Sequence, residues 1–188
     1  MTGGTPAPLI LVVGPSGAGK DSLIDGARRA LAGDAGFLFV RRVVTRPAVG
    51  EDHDTMTADE FDAAEQGGAF ILSWRAHGLA YGIPASAQRQ RAAGIVAVAN
   101  ASRLAIPEAR RHLAPIHIVA VTAPAEILAA RIAQRGREDA ESARERLRSA
   151  AIALPKGPDV TRLDNGGSLE SGIAAFVAAL RRARDQAT

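Results

Sequence analysis

Short aliphatic runs alternate with longer segments of helical spacing along most of the chain. Residues 9–13 read Leu-Ile-Leu-Val-Val between Pro8 and Gly14, and five consecutive branched or aliphatic residues suit a strand covered on both faces. From Lys20 the period changes. Leu23, Ile24, Ala27, Ala30 and Leu31 recur at helical spacing, with Gly33 as a stop, which predicts a helix over 20–31. Further strands are predicted at 37–44, 70–73, 95–99, 116–121 and 159–163. Helices are predicted between them at 58–66, 84–93, 102–113, 125–134, 140–152 and 169–184, the last with Ile173, Phe176, Val177 and Leu180 on one side. Strand–helix alternation of this kind specifies an α/β fold, a parallel sheet with helices on both faces in three layers. Residues 1–8 are small, rich in Gly and Pro and aperiodic, and are expected to form a flexible tail.

Length, charge and composition narrow this picture only a little. A chain of 188 residues with 47% hydrophobic content is one domain's worth of core. The 23 basic and 20 acidic residues leave a net charge of +3, and the basic pairs lack the interleaved aromatics that stack bases, so no nucleic-acid partner is expected. No cysteine is present, which excludes disulfides, thiolate metal sites and a cysteine nucleophile. The longest early apolar run, 9–13, is too short to cross a bilayer, and the default expectation is a cytoplasmic protein with no membrane association. All but two of the basic residues are arginine, and one of the two lysines is Lys20.

Chemistry enters at Gly14-Pro15-Ser16-Gly17-Ala18-Gly19-Lys20. The segment fits G-x-x-x-x-G-K, the P-loop or Walker A pattern, and lies between a predicted strand and a predicted helix, the context that the motif requires. Glycines let the backbone wrap around phosphates, so that successive N–H groups and the positive helix end face the anion. Lys20 would then reach the outer phosphates. ATP is the expected donor. The position after the lysine, ordinarily Ser or Thr whose hydroxyl holds Mg²⁺, is Asp21, with Ser22 next. A carboxylate is a good hard-oxygen ligand for Mg²⁺, so Asp21 is the candidate metal ligand, directly or through water. An acidic residue there equally suits a helix N-terminus through the macrodipole.

Read with GPSGAGKDS, the blocks VTRPAVGEDH, SWRAHGLAYGI, VANASR and RIAQRGRE make the chain resemble the guanylate-kinase-like branch of P-loop nucleoside monophosphate kinases. Within it the resemblance is nearest to the ribose 1,5-bisphosphate phosphokinase family, and it covers residues 9–180. It implies a three-layer P-loop kinase fold with a five-stranded parallel core over 9–44 and 94–184. An acceptor-binding insertion would occupy 45–93, and a short arginine-rich lid 131–147. It implies that Arg46 grips the acceptor phosphate and that Tyr81 lies near it; His77, in the same block, either donates to a phosphate or hydroxyl there or is structural, and Trp74 is expected to pack in the core, as large aromatics mostly contribute buried area. The second arginine and the tyrosine of the guanylate-kinase acceptor pattern are absent, and the aspartate after the 95–99 strand is replaced by Asn100, followed by Arg103. Asn100 and Arg103 accept a sugar bearing a second phosphate without charge repulsion, although Asn100 also suits a turn or helix N-cap. Lid residues carried over are Arg131, Arg135 and Arg146, with Arg137 in a position usually Thr. They would close on the transferring phosphoryl group. Asn165, in Leu163-Asp164-Asn165-Gly166-Gly167, is the implied adenine contact.

The resemblance implies, as the leading function, ATP- and Mg²⁺-dependent phosphorylation of ribose 1,5-bisphosphate at its 1-phosphate, giving 5-phosphoribosyl 1-diphosphate and ADP, and further implies a bacterial phosphonate-utilisation setting. The acceptor is already an anionic nucleophile, so positioning and charge screening are needed rather than a general base. Guanylate kinase is the alternative. A catalytically silent guanylate-kinase-like interaction module fits less well, because Lys20 and the lid arginines are present. A GTPase switch lacks its N-K-x-D and its D-x-x-G with a following Gln.

Overall fold

The computed structural model describes residues 5–47, 52–134 and 153–186. Its element order is β1 (Leu9–Val13), α1 (Lys20–Ala30), β2 (Phe37–Phe39), β3 (Arg42–Val44), β4 (His53–Thr55), α2 (Ala58–Gln66), β5 (Phe70–Ala76) and β6 (Leu79–Pro84). There follow α3 (Ser86–Ala92), β7 (Val96–Asn100), a 3₁₀ turn (Arg103–Ala105), α4 (Ile106–His112), β8 (Ile116–Thr122), α5 (Ala125–Gln134), β9 (Val160–Asp164) and α6 (Leu169–Asp185). The lid expected at 131–147 and the helix at 140–152 fall largely outside the described residues; α5 ends at Gln134.

Five strands form an all-parallel sheet in the order β2-β7-β1-β8-β9. β1 is its centre, and all five of its residues are fully buried. That is the reason its sequence is continuously aliphatic rather than alternating. Odd and even positions serve different cores. Ile10 and Val12, with Val96, Val98, Val119 and Val121, pack under Leu23, Ala27, Phe176 and Leu180 of α1 and α6. Leu9, Leu11 and Val13, with Ala97, Ala99, Ile118 and Ala120, pack on the other side against Ala87 of α3 and Ile106 and Ala109 of α4.

A second, mixed sheet has the order β4-β3-β6-β5, with β3 parallel to β4 and antiparallel to β6. The strand expected over 37–44 is thus two strands in two sheets: β2 ends at Phe39, and β3 leaves to pair with β6. The second sheet therefore begins at Arg42, ahead of the expected boundary at 45. Its far boundary differs too, since Ala87 of α3 belongs to the core of the parallel sheet. The tail differs in the same way. Ala7 N–H donates to the Arg91 carbonyl at 2.9 Å, and Ala97 N–H donates to the Pro8 carbonyl at 3.2 Å, so 7 and 8 are part of the fold.

Helix starts follow their capping chemistry. Thr57 and Glu60 form a reciprocal capping box on α2, with Thr57 N–H donating to Glu60 Oε2 at 2.8 Å. Ser168 caps α6 by accepting from Ser171 N–H at 3.2 Å. α1 is different: its cap residue is Gly19 and no side chain closes its first turn.

Candidate functional site

The loop between β1 and α1 is built by backbone geometry that side chains would prevent. Gly14 has φ +154°, and a Cβ there would stand 2.2 Å from the Val121 carbonyl oxygen at the end of β8. Gly19 has φ +83°, and its Cβ would meet Asn165 Nδ2 at 2.5 Å. The chain can therefore turn tightly between two strand ends and leave the first N–H groups of α1 uncapped, as an anion-binding helix start requires. Lys20 folds back over this loop and donates from Nζ to the carbonyls of Gly14, at 3.0 Å, and Pro15, at 3.1 Å. Pro15 and Ser16 lie toward its outer side, whereas Gly17 and Ala18 are buried.

Asp21 is half-buried in the first turn of α1, and Ser22 beside it is exposed. Asn100, the last residue of β7, donates from Nδ2 to Asp21 Oδ1 at 2.6 Å. The Ala101 N–H donates to the Val12 carbonyl at 2.9 Å, which holds this strand end against β1 where the loop begins. Asn100 is not the cap of the following turn; that role belongs to Ser102, whose Oγ accepts from Leu104 N–H at 3.2 Å. Arg103 follows, half-buried, and burial pulls its guanidinium pKa below the usual value. The fit of this end of the sheet to Mg²⁺ rests on one carboxylate and one amide. That suffices for an ion that keeps several waters and takes its remaining ligands from substrate phosphates. No group of three or more His, Cys, Asp or Glu side chains that could hold a metal occurs among the described residues.

The expected acceptor residues divide. Thr45 and Arg46 follow directly on β3, where Thr45 Oγ1 accepts from Ala80 N–H at 2.9 Å and Thr55 Oγ1 donates to the Arg46 carbonyl at 3.1 Å. Tyr81 is half-buried on β6, stacked on Trp74 with ring centroids 5.4 Å apart and planes 3° from parallel. Trp74 is buried in the core as expected. Arg42 places its guanidinium 5.6 Å from the Tyr81 ring centre, a contact not anticipated from sequence. Arg42 and Val44 share a strand face by the two-residue period, so this was the signal available for it. His77 departs from the pocket reading. It is exposed at the tip of the β5–β6 hairpin, and both turn residues, His77 and Gly78, have positive φ, 58° and 69°.

Asn165 also departs from expectation. Its side chain is 3% exposed and turned under the phosphate loop, where Nδ2 donates to the Ala18 carbonyl at 2.8 Å. That bond makes the buried amide a support of the loop. Its own carbonyl accepts from Arg131 Nη2 at 3.0 Å, so Arg131 joins the site from the last turn of α5. Arg131 Nη1 and Asn165 Oδ1 are buried without a hydrogen-bond partner among the described residues. Arg135, Arg137 and Arg146 lie outside the described residues.

The chain is 43% identical over 176 residues to a ribose 1,5-bisphosphate phosphokinase PhnN of Agrobacterium fabrum, covering 93% of this chain and 96% of that one. It is 45% identical over 182 residues to the enzyme of the same name from Rhodopseudomonas palustris, covering 96% and 92%. The chain belongs to the ribose 1,5-bisphosphate phosphokinase family. Family members also occur fused: a bifunctional ribose 1,5-bisphosphokinase-thymidine phosphorylase of Cupriavidus necator is 46% identical over 172 residues, which make up 28% of its length. Among solved structures, a guanylate kinase from Anaplasma phagocytophilum matches with TM-score 0.65 at 19% identity, over 96% of this chain and 88% of that one. That likeness shows the shared fold of the phosphokinase family and guanylate kinases. No family model matches the chain. As a family member the protein is a kinase, and none of its described helices is long and apolar enough to cross a membrane.

Proposed function

We propose that the protein transfers the γ-phosphoryl group of ATP to the 1-phosphate of ribose 1,5-bisphosphate, giving 5-phosphoribosyl 1-diphosphate and ADP. One observation carries the reading. Relatives named for this activity match at 43–45% identity across more than nine-tenths of both chains, whereas the guanylate kinase likeness is one of fold alone.

The assigned roles follow from position. The loop from Gly14 to Lys20 holds the donor phosphates through its N–H groups and the start of α1. Lys20 swings from the Gly14 and Pro15 carbonyls to the outer phosphates, a short reach because its ammonium already lies over the loop. Asp21 would hold Mg²⁺, which would supply screening of the charge that builds up on the phosphates in transfer. Arg46, Tyr81, Asn100 and Arg103 receive the sugar bisphosphate, and His77 at the hairpin tip is a peripheral contributor. Arg131, with Arg135 and Arg146, stabilises the transferring group and excludes water. The acceptor oxygen is already an anion, so no proton needs to be removed from it. Catalysis consists of alignment and charge compensation.

The test compares acceptors under identical ATP and Mg²⁺. Ribose 1,5-bisphosphate should yield 5-phosphoribosyl 1-diphosphate with at least about a hundredfold higher kcat/KM than GMP, the discrimination expected where buried polar groups go unpaired on the wrong substrate. Efficient phosphorylation of GMP with no diphosphate product from the sugar bisphosphate overturns the assignment.

A further inference from the structure

Two positions beside the phosphate loop carry each other's usual chemistry. P-loop enzymes generally hold Mg²⁺ between the Ser or Thr after the loop lysine and an Asp at the end of a core strand. In this chain a carboxylate, Asp21, follows Lys20, and β7, hydrogen-bonded to β1, ends in the neutral amide Asn100. The two side chains are in direct contact, with Asn100 Nδ2 donating to Asp21 Oδ1 at 2.6 Å across 79 residues of sequence.

We infer that the carboxylate of the metal site has moved from the strand end to the helix, with Asn100 as the residue that positions it. The amide orientation is dictated chemically, since its carbonyl oxygen turned toward Asp21 would set two acceptors against each other. Donation to Oδ1 restrains the carboxylate and would leave Oδ2 to a metal ion. Both residues are half-buried, so the bond is partly shielded from water. The alternatives at this contact are poor. Two carboxylates so close would repel, and one would take up a proton. Two neutral groups would leave the ion no carboxylate here. A transposed pair keeps one negative charge and one donor, which matches Mg²⁺ bound by a single carboxylate and substrate phosphates.

The inference rests on the proposed function only in requiring a metal–nucleotide at this loop, and it is independent of the acceptor. Its test therefore omits the acceptor. Binding of Mn²⁺ to the intact protein with ATP is followed by the electron paramagnetic resonance of free Mn²⁺, and binding of ATP in excess chelator by calorimetry. Asp21→Ser should weaken Mn²⁺ by more than about tenfold, the size of losses at groups supporting metal ligands. It should also tighten metal-free ATP, because a negative charge beside the phosphates is gone. Asn100→Ala should weaken Mn²⁺ by about tenfold with metal-free ATP unchanged. The exchanged double variant, Asp21→Ser with Asn100→Asp, should regain most of the lost Mn²⁺ affinity. Native Mn²⁺ affinity in Asp21→Ser, or a double variant no better than that single one, overturns the inference. Should circular dichroism show the double variant unfolded, the two single variants decide, and unchanged Mn²⁺ binding in Asn100→Ala then refutes the positioning role. Failure of the native protein to bind ATP at all overturns both readings. Native Mn²⁺–ATP binding with a different acceptor overturns only the assignment of substrate.

Discussion

Replacing Asn165 by alanine separates a support of the phosphate loop from a contact to the nucleotide base. Asn165 is 3% exposed and its Nδ2 donates to the Ala18 carbonyl at 2.8 Å. Truncation removes that bond and leaves a buried carbonyl unpaired, a cost of about 1–3 kcal/mol. Part of this is offset, because Oδ1 is itself buried without a partner among the described residues and its removal relieves that penalty. A net loss of about 1 kcal/mol follows. In a domain of this size it lowers Tm by about 2–4 °C. The Arg131 bond to the Asn165 carbonyl is made to backbone and survives the substitution. The loop should loosen for every ligand that uses it, and each kcal/mol of ordering then supplied by the ligand weakens binding about fivefold. Calorimetric titration with ATP, GTP and inorganic triphosphate, beside a thermal melt, reads both effects. Equal losses for all three ligands together with a lower Tm are expected. An unchanged Tm, with a loss confined to ATP, refutes the support role and restores the base contact.

Further outcomes follow from the same contacts. Lys20→Met should lower kcat by about 10²–10³-fold with Tm nearly unchanged, since the half-buried ammonium over the loop, proposed to meet the developing charge, is lost; steady-state kinetics with saturating ATP checks it. Arg91→Met should destabilise by about 3 kcal/mol or more in urea titration. It keeps the stem but strips donors from the carbonyls of Ala7, Leu113 and Pro115, at 2.9, 2.7 and 2.9 Å, in a fully buried site. His117 is buried, with Nε2 at 2.9 Å from Thr161 Oγ1; burial lowers its pKa below 6.5, Asp159 opposes this, and Arg182 adds to it. A lowered folded-state pKa means that the unfolded chain binds more protons in the window between that pKa and about 6.5. The stability given by neutral His117 is therefore present above about pH 6.5 and is lost as pH falls from there toward the folded-state pKa. Urea titrations of native protein and His117→Gln should diverge at neutral pH and converge on acidification, and parallel curves would refute it.

The parallel sheet was legible because its strands are buried on both faces. Residues 9–13, 95–99 and 116–121 carry aliphatic runs that few other environments explain, and the structure places β1, β7 and β8 there within a residue or so. The helices predicted at 58–66 and 125–134 coincide with α2 and α5. What failed was connectivity inside apolar runs. The segment 37–44 gave no sign that Val40 and Arg41 carry the chain from one sheet to another, since the burial that separates them comes from tertiary pairing with β6 and β7. The β4 strand of His53, Asp54 and Thr55 is invisible to pattern because only His53 is buried. The phosphate loop could be read from spacing alone. The Asn165 role could not, because a polar residue after a strand suits a ligand contact or an inward hydrogen bond equally well, and only the position of Ala18 decides.

The two sheets share one core, and this bears on how the site is assembled. Leu72 and Trp74 of β5 and Ile83 of β6 belong to the same buried cluster as Leu9, Leu11 and Val13 of β1 and Ala97 and Ala99 of β7. The second sheet has only a small cluster of its own, Val43, Phe61 and Ala80, with Phe61 and Phe70 stacked at 4.6 Å. Its principal apolar burial is therefore against the parallel sheet, and its orientation is set by the strands that end at the phosphate loop. Trp74 is the joint. One face of the ring system meets Tyr81, and the residue is counted among the parallel sheet's core. Tyr81 pairs across β6 with Val44, the residue before Thr45 and Arg46. Packing against β1 and β7 thus reaches Arg46, the proposed acceptor contact, through Trp74, Tyr81 and Val44, a chain of stacked and strand-paired neighbours. Phosphoryl transfer demands alignment more than covalent chemistry. If the second sheet receives the acceptor as proposed, a core shared with the parallel sheet would supply that alignment through packing.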